Sequence, residues 1–334
     1  MLTFVVRRLA LLVPILLGLS LLVFVWVRAL PGGPAQALLG ERGTPERVAA
    51  VQHAYGLDRP VLVQYGAFLA KAASLDFGDS IHTQVPVRTE IRNRFPATIE
   101  LSVAALAFAI GLGIPLGYLA ARRYQTRFDD ASVIGSLLGV SIPVFFLAFL
   151  LKYVFAVKLH WLPSQGRLDV LRDVNHPTGF YVLDGIVTGD PAATWDALRH
   201  LVLPGIALGT IPLAIIVRIT RAAVLEVGSA DYVRTAESKG LTRSVVTRRH
   251  ILRNALLPVV TIVGLQTGLL LAGAVLTETV FNWNGMGQFL VEAIANRDFP
   301  VLQGGILFVA LVFVLVNLLV DVSYGFIDPR VRAR

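Results

Sequence analysis

The stretch that decides the fold is ATIELSVAALAFAIGLGIPLGYLAA, residues 97–121. Glu100, close to its start, is its one charged side chain. A helix rises about 1.5 Å per residue, so this stretch is long enough to cross a hydrocarbon core of about 30 Å. The sequence therefore predicts a membrane-spanning helix at 97–121.

Five further stretches have the same character. Each has close to the required length and almost no interior charge, with Lys152 near the end of one span as the exception. The 334-residue chain is 55% hydrophobic and 16% charged, with a mean hydropathy of +0.68, whereas soluble chains are about 45–50% apolar and about 25% charged. We therefore predict an all-α integral membrane protein with six transmembrane helices and exclude a soluble enzyme. The further spans are predicted at residues 9–27, 131–157, 201–217, 255–276 and 301–322.

Basic residues indicate how these helices are oriented. Eight lysines and arginines lie between Arg218 and Arg253, and the C-terminus is also basic, whereas the short loops on the other side carry few. Because basic residues concentrate in short cytoplasmic loops, we expect both termini to be cytoplasmic. The net charge of +8 then reflects topology and contact with anionic lipid, and it requires no nucleic acid.

The first span also has a basic start, Arg7 and Arg8, as a signal peptide does. Its apolar run of about 19 residues exceeds the usual 7–15 of a signal core, so we interpret it as a retained helix rather than a cleaved leader.

The predicted topology divides the chain into four parts. They are a first transmembrane helix at 1–28, an extracytoplasmic cap at 29–94, a five-helix core at 95–322 with a cytoplasmic loop at 226–254, and a cytoplasmic tail at 323–334.

Several kinds of chemistry are excluded by what the sequence does not contain. There is no cysteine, none of the four lysines follows a glycine as in a P-loop, and there is no His-Glu-x-x-His or Gly-x-Ser-x-Gly motif. The six histidines are scattered. We therefore predict no catalytic residue, no metal site and no cofactor. Glu100, Glu278 and Asp321 lie near predicted helix ends, where a charge at the interface or a helix-terminus partner is the expected role.

The cytoplasmic loop between the fourth and fifth spans is the most informative segment. Asp231 is a candidate N-cap for a short helix over 232–239, and Gly240 fits the left-handed residue that ends a helix. Thr242 or Ser244 can cap a second, basic helix that leads into the fifth span. Three interpretations are open: a surface helix held by lipid headgroups, a nucleic-acid helix-turn-helix, and a docking element for a cytoplasmic protein.

The residues of this loop resemble a known family. DYVRTAESKGL (231–241) and RHILRNALLP (249–258) are similar to the EAA loop of ABC importer permeases, and more narrowly to the B-type subunit of the dipeptide/oligopeptide/nickel importer family. Arg234, Thr235 and Ala236 stand at the Glu-Ala-Ala positions, and only the alanine matches the general pattern. The resemblance extends over nearly the whole chain through an ordered series of motifs. These are LPGGP (30–34), GLDRP (56–60), QY (64–65), DFGDS (76–80), RFPATIEL (94–101), SIPVF (141–145), ETVFNWNGMG (278–287), FPVLQG (299–304) and DPRVR (328–332).

The resemblance implies a type I ABC importer fold in the plasma membrane of a bacterium. A second homologous permease, two ABC ATPase subunits and an extracytoplasmic solute-binding protein would be its partners, and ATP hydrolysis would reside on those ATPases, so that this chain is not itself an enzyme. The cargo would be a dipeptide or oligopeptide, with nickel or another small solute as the alternative. The residues expected at the ATPase contact are Tyr232, Arg234, Thr235, Ala236, Glu237, Lys239, Gly240 and Leu241.

Two further features bear on the pathway. Phe281, Trp283 and Met286 follow the fifth span and are candidates for an outer gate, although aromatic residues at this level also form the ordinary interfacial belt. Pro143 is expected to bend the third span beside the pathway, or to be structural.

An ATPase-independent carrier and a membrane scaffold are the hypotheses that compete with an importer permease. A carrier usually has inverted repeats and intramembrane ions, and a scaffold gives no reason for a glycine-ended surface helix.

Overall fold

The computed structural model describes residues 2–29, 39, 44–54, 56–172 and 175–327. Within these residues the chain is helical, with one isolated antiparallel bridge between Asp79 and Pro86. The helices are α1 (Leu2–Ala29), α2 (Pro45–Ala54), α3 (Val61–Ala73), α4 (Val87–Arg122), α5 (Arg127–Ser141), α6 (Val144–Leu151) with a π-helical continuation (Lys152–Lys158), α7 (Tyr181–Val187), α8 (Pro191–Gly228), α9 (Asp231–Ser238), α10 (Arg243–Val245) with a π-helical continuation (Val246–Leu252), α11 (Arg253–Gly273), α12 (Val275–Phe281), α13 (Met286–Ala295) and α14 (Phe299–Ile327).

Five of the described helical segments are long and apolar enough to cross a membrane, and the bent pair α5–α6 makes a sixth if it counts as one span. The all-α membrane class predicted from the sequence is therefore confirmed. The LPGGP motif at 30–34, the DPRVR motif at 328–332 and most of the predicted tail lie outside the described residues.

The third span, predicted at 131–157, is not one continuous helix, and the bend expected at Pro143 is confirmed as a full break. The chain breaks between α5 and α6, and the two parts meet at 101°. Ile142 is extended (ψ 123°) and Pro143 precedes the first turn of α6. Proline disfavours the helical conformation of the residue before it and has no N–H to continue the ladder, which explains a break at this point.

Other helices are longer than predicted. Helix α4 begins at Val87, ten residues before the predicted span and inside the range assigned to the cap. Helix α8 begins at Pro191, where the Asp190 carboxylate accepts hydrogen bonds from the N–H groups of Ala192 (3.0 Å) and Ala193 (2.9 Å). A hydropathy window does not detect a polar N-terminal turn of this kind. The predicted span is therefore shorter than the helix.

Helices α4 and α8 form the centre of the fold. Gly117 on α4 lies so close to α8 that a Cβ there would stand 2.6 Å from the carbonyl oxygen of Val217, and a Cβ on Gly113 would stand 2.8 Å from Ile216. Two small residues four positions apart allow helices to approach closely, and here that approach is to α8. The two helices therefore pack backbone to backbone, which makes their relative position rigid.

Helix α3 (Val61–Ala73) lies within the predicted cap at 29–94. It lies against α1, where the Tyr65 hydroxyl is 2.9 Å from the Ser20 hydroxyl and the Tyr65 ring meets Phe24 edge-on at 5.1 Å. Arg28 on α1 donates to the Gln64 side chain. This part of the predicted cap is thus attached to the first transmembrane helix.

Candidate functional site

The segment between α8 and α11 carries the residues predicted for coupling. Helix α9 begins at Asp231, and only two residues separate it from the end of α8. Ala230 holds the N-cap position and α9 has no side-chain cap bond, so the assignment of Asp231 as the N-cap is wrong by one residue. Because only Ser229 and Ala230 separate the two helices, α9 must follow any displacement of the end of α8.

Helix α9 is ended by a left-handed Gly240, as the sequence predicted. Gly240 has a φ of +76°, its N–H donates to the carbonyl of Glu237 (2.9 Å), and the N–H of Leu241 donates to the carbonyl of Ala236 (3.4 Å). This pair of bonds around a left-handed residue is the Schellman motif. Thr242 then takes the N-cap position of α10, without a side-chain cap bond. The chain therefore reverses sharply at Gly240.

One face of α9 is fixed to the rest of the molecule. Val233 and Ala236 are buried and pack on Val246, with Ala230 and Ile251 completing the contact. Of the eight predicted coupling residues, Ala236 is thus the one that is buried. Its small side chain allows α9 to approach the helix that leads into α11.

The opposite face of α9 is open. The other seven predicted coupling residues are all exposed, so α9 and the turn that follows it keep a surface that is accessible to a partner. Burial in this single chain does not test whether an ATPase binds there, so the coupling role stays a prediction. The exposed set is Tyr232, Arg234, Thr235, Glu237, Lys239, Gly240 and Leu241.

Asn254 is a residue of this surface that sequence reasoning did not single out. Its side-chain amide donates to the Tyr232 hydroxyl (3.0 Å) and to the carbonyl of His250 (3.0 Å). The contact joins α9 to the start of α11 across the glycine turn. The resemblance quoted Asn254 within 249–258, but only the fold shows that it faces Tyr232.

The candidate gate residues lie at the other end of the bundle. Phe281, Trp283 and Met286 are all at least 98% buried, each in a different hydrophobic cluster. The Trp283 Nε1 donates to the carbonyl of Ala97 (2.8 Å). Their packing favours a structural role within this chain, while the gate assignment itself stays a prediction. Pro143 is exposed at the bend of the third span.

Glu278 organises the same region. Of the two expected roles, the interfacial charge is wrong because Glu278 is completely buried, and the helix-terminus partner is confirmed at the start of α13. One carboxylate oxygen accepts from the Thr98 hydroxyl (2.6 Å) and the other from the N–H of Gln288 (3.0 Å). Thr98 in turn accepts from the N–H of Met286 (2.8 Å). The carboxylate therefore ties the start of α13 to α4.

Glu100 has a buried partner rather than an interfacial position. It forms an ion pair with Arg167 at 2.7 Å, and both side chains are only 8% exposed. Arg167 also donates to the carbonyl of Gly179 (2.8 Å), and its guanidinium lies 3.8 Å from the centre of the Tyr181 ring. The loop between α6 and α7 is thereby held on α4. The side chain of Asp321 lies outside the described residues.

His176 belongs to the same loop. Its ring stacks on Tyr181 at 3.7 Å and 4°, and its Nδ1 lies 3.7 Å from the buried Asp184 carboxylate. Burial lowers the pKa of His176, and the charge of Asp184 opposes that shift. The described residues contain no group of three His, Asp or Glu side chains that could hold a metal ion.

These observations define a class of protein: a multi-pass helical membrane protein in which one of the two central helices, α8, leads directly into an exposed, glycine-ended surface helix. The chain matches two family models. One is described as binding-protein-dependent transport system inner membrane component, over residues 113–333, and the other as the N-terminal part of such a membrane component, over residues 1–102.

Similar proteins cover the same length. The chain is 47% identical over 332 residues to the dipeptide transport system permease protein DppB of Alkalihalophilus pseudofirmus, covering 99% of this chain and 100% of that protein. It is also 47% identical to the di/tripeptide transport system permease protein DppB of Pseudomonas aeruginosa and to the dipeptide transport system permease protein DppB of Escherichia coli, with 99% of each chain covered. The chain therefore belongs to the family of binding-protein-dependent transport permeases, and the resemblance stated from its motifs is confirmed.

Proposed function

We propose that this chain is one of two permease subunits of an ATP-driven importer of dipeptides or oligopeptides in the plasma membrane of a bacterium. The observation that carries the proposal is α9, an exposed helix with one anchored face that follows the central helix α8 after two residues. Relatives that match nearly the full chain are named as dipeptide or di/tripeptide permeases, which supports a peptide cargo.

The topology that goes with this function has six spans and both termini in the cytoplasm. The bent pair α5–α6 supplies the third span, and the basic stretch from Arg218 to Arg253 faces the cytoplasm. In this orientation α9 is presented to cytoplasmic ATPase subunits, while the residues near Trp283 face a solute-binding protein on the outside.

Coupling in this arrangement is mechanical. ATP binding and hydrolysis occur on the partner subunits and move α9, and α9 passes the movement to α8 and through the close α4–α8 contact to the bundle. A nucleotide can shift the equilibrium between outward and inward access only if the ATPase contacts α9 differently in the two states. The exposed side chains from Tyr232 to Leu241 supply the surface for those contacts.

The experiment that tests this proposal is co-purification. The chain carries a C-terminal tag, native membranes are solubilised in a mild detergent, and the retained proteins are identified. We expect a second permease of this family and one or two P-loop ATPases. Recovery of this chain alone as a stable homo-oligomer across several mild detergents would contradict the proposal and favour a carrier or a scaffold.

The cargo is tested separately. The recovered set of subunits, with its binding protein, is expressed in cells that lack other peptide importers, and uptake of a labelled dipeptide is compared with uptake of nickel. Dipeptide uptake that depends on ATP supports the proposal. Uptake of nickel without dipeptide uptake would leave the importer architecture in place and overturn the cargo.

A further inference from the structure

A cavity lies behind the α9 surface and is not explained by coupling. It has a volume of about 760 Å³ and opens between the ends of α4 and α8 and the helix that begins at Arg243. Its volume falls within the range of about 300–1,000 Å³ that is typical of small-molecule sites. The cavity therefore has room for a ligand.

The charge of the cavity selects an anion. Its lining carries three guanidinium groups, those of Arg122, Arg243 and Arg248, against one carboxylate, that of Glu237. The three arginines are exposed, and none of them forms an ion pair within the part of the chain that the structure describes. Like charges that share a cavity repel one another, so an anion between them lowers the energy of the arrangement. Arginine matches the geometry of a phosphate through paired hydrogen bonds.

The rest of the lining is apolar. Tyr118, Leu225 and Leu252 contribute half-buried hydrocarbon surface next to the arginines. A small soluble anion would leave this surface wet, whereas a ligand with an anionic head and a hydrocarbon body covers both parts. The cavity therefore fits an amphiphile better than a free anion.

The position of the cavity agrees with that chemistry. Arg122 is the last residue of α4, and α8 ends at Gly228, which also lines the cavity. The cavity thus lies at the ends of two helices that are long and apolar enough to cross a membrane, where lipid headgroups are expected. Basic pockets between transmembrane helices at this level are typical sites for anionic lipid heads.

We propose that this cavity binds an anionic phospholipid, with its phosphate between Arg122, Arg243 and Arg248 and the start of its acyl chains on Tyr118 and Leu225. The bound lipid joins the ends of α4 and α8 to the helix that begins at Arg243. Helix α9 packs against that same helix. The proposal concerns a lipid ligand, and it stands whether the cargo is a peptide or another solute.

The experiment measures lipid retention by the tagged transporter with the subunits that co-purify with it. The complex is reconstituted into nanodiscs that contain phosphatidylglycerol in phosphatidylcholine, and the lipids that remain after release from the disc are counted by native mass spectrometry. The test variant is Arg243→Gln/Arg248→Gln. The matched control is Arg249→Gln/Arg253→Gln, which removes the same charge from exposed positions of the same segment that do not line the cavity.

We expect the wild type and the control to retain one phosphatidylglycerol that the test variant loses, with at least a tenfold weaker affinity in the test variant. Arg243→Lys/Arg248→Lys keeps the charge and is expected to retain the lipid with intermediate affinity, which separates loss of charge from loss of fold. Equal retention by the wild type and the test variant overturns the proposal.

Two other results also overturn it. If inorganic phosphate at millimolar concentration displaces the phosphatidylglycerol completely, the arginines form a free anion site and the hydrocarbon surface has no role. If the test variant retains the lipid and loses the ATPase subunits, the cavity is a protein-docking surface.

Discussion

Arg221 on α8 binds Asp129 on α5 with two parallel hydrogen bonds. The Nη2 of Arg221 donates to Oδ2 of Asp129 at 2.8 Å, and Nε donates to the other carboxylate oxygen. The Asp129 side chain is only 3% exposed, and its Oδ2 also accepts from the N–H of Gln125 (3.1 Å). The sequence placed Arg221 among the basic residues that set topology. Its place in the fold is a fixed link between the bent third span and the helix that leads into α9.

Removing this link should destabilise the protein. Asp129→Asn leaves the guanidinium of Arg221 without its counter-charge, and breaking a buried ion pair from one side costs about 3–5 kcal/mol. Since the Arg221 side chain is 23% exposed, water replaces part of the lost interaction, and we expect about 2 kcal/mol. Chemical denaturation of the purified protein in detergent measures the change. Asp130→Asn is the control, because Asp130 is exposed and should change the stability by less than about 0.5 kcal/mol.

The turn after α9 makes a second prediction. Gly240→Val forces a β-branched residue to a φ of +76°, which costs about 1–2 kcal/mol. No atom lies within 4 Å of the added Cβ, so the cost comes from the backbone and not from a clash. We expect the variant to insert into the membrane normally and to lose most ATP-driven uptake, because α9 is displaced. Gly240→Asn, which tolerates a left-handed conformation, should keep most of the uptake.

Uptake by inverted or right-side-out vesicles and ATPase activity are measured together for both variants. Full uptake by Gly240→Val would show that the position of α9 does not matter for coupling. Equal losses in Gly240→Val and Gly240→Asn would show that glycine is needed for close approach of a partner rather than for its backbone conformation.

Replacing Trp283 tests whether this side chain has a packing role or a gating role. Trp283→Ala removes a fully buried ring and its hydrogen bond to Ala97, so we expect a loss of about 3–5 kcal/mol in stability. Trp195→Ala, at a position that is 65% exposed, should cost less than about 1 kcal/mol. Thermal unfolding in detergent compares the two. A stable Trp283→Ala variant with leaky or altered uptake would instead favour the gate.

The surroundings of His176 lead to a prediction about how the stability of the protein depends on pH. Burial lowers its pKa in the folded protein, so the unfolded chain takes up the proton more readily than the folded chain does. The stability that this residue contributes is therefore present above about pH 6.5, the usual pKa of histidine, and is lost as the pH falls from there through the lowered pKa of the folded state.

His176→Phe keeps the ring stacked on Tyr181 and removes the titration. We expect this variant to lose less stability than the wild type between pH 7 and pH 5, as measured by denaturant midpoints. His82→Gln changes an exposed histidine and should follow the wild type. Parallel curves for the wild type and His176→Phe would contradict the prediction.

The features that sequence reasoning predicted are those with a local cause. The length of the apolar stretches predicted the membrane spans. The preference of glycine for a left-handed conformation predicted that α9 ends at Gly240. Short motifs, each of a few neighbouring residues, predicted the family. Each of these depends on neighbouring residues or on a pattern within one element, which is why the chain itself displays it.

The features that it missed depend on contacts between distant elements. Glu278 is 180 residues from Thr98, and Arg167 is 67 residues from Glu100. Hydropathy assigns such carboxylates to the interface because it counts their charge and not their partners. The bend at Pro143 was predicted from the residue itself, whereas a hydropathy window over 131–157 averages across the break and does not show its size.

The close contact of α4 with α8 gives the last prediction, in which the same substitution has opposite effects at two positions on one helix. Gly117→Ala places a Cβ 2.6 Å from the carbonyl oxygen of Val217 and 2.7 Å from the Thr220 side chain. A backbone carbonyl in a helix cannot move aside, so α4 and α8 must separate, at a cost of about 1–3 kcal/mol. Gly111→Ala meets nothing within 4 Å and should be neutral or stabilising by up to about 1 kcal/mol. Because α8 leads into α9, Gly117→Ala should also reduce uptake per ATP hydrolysed, whereas Gly111→Ala should leave that ratio unchanged. Equal stability and equal coupling in the two variants would show that α4 and α8 do not touch along Gly117 in the assembled transporter.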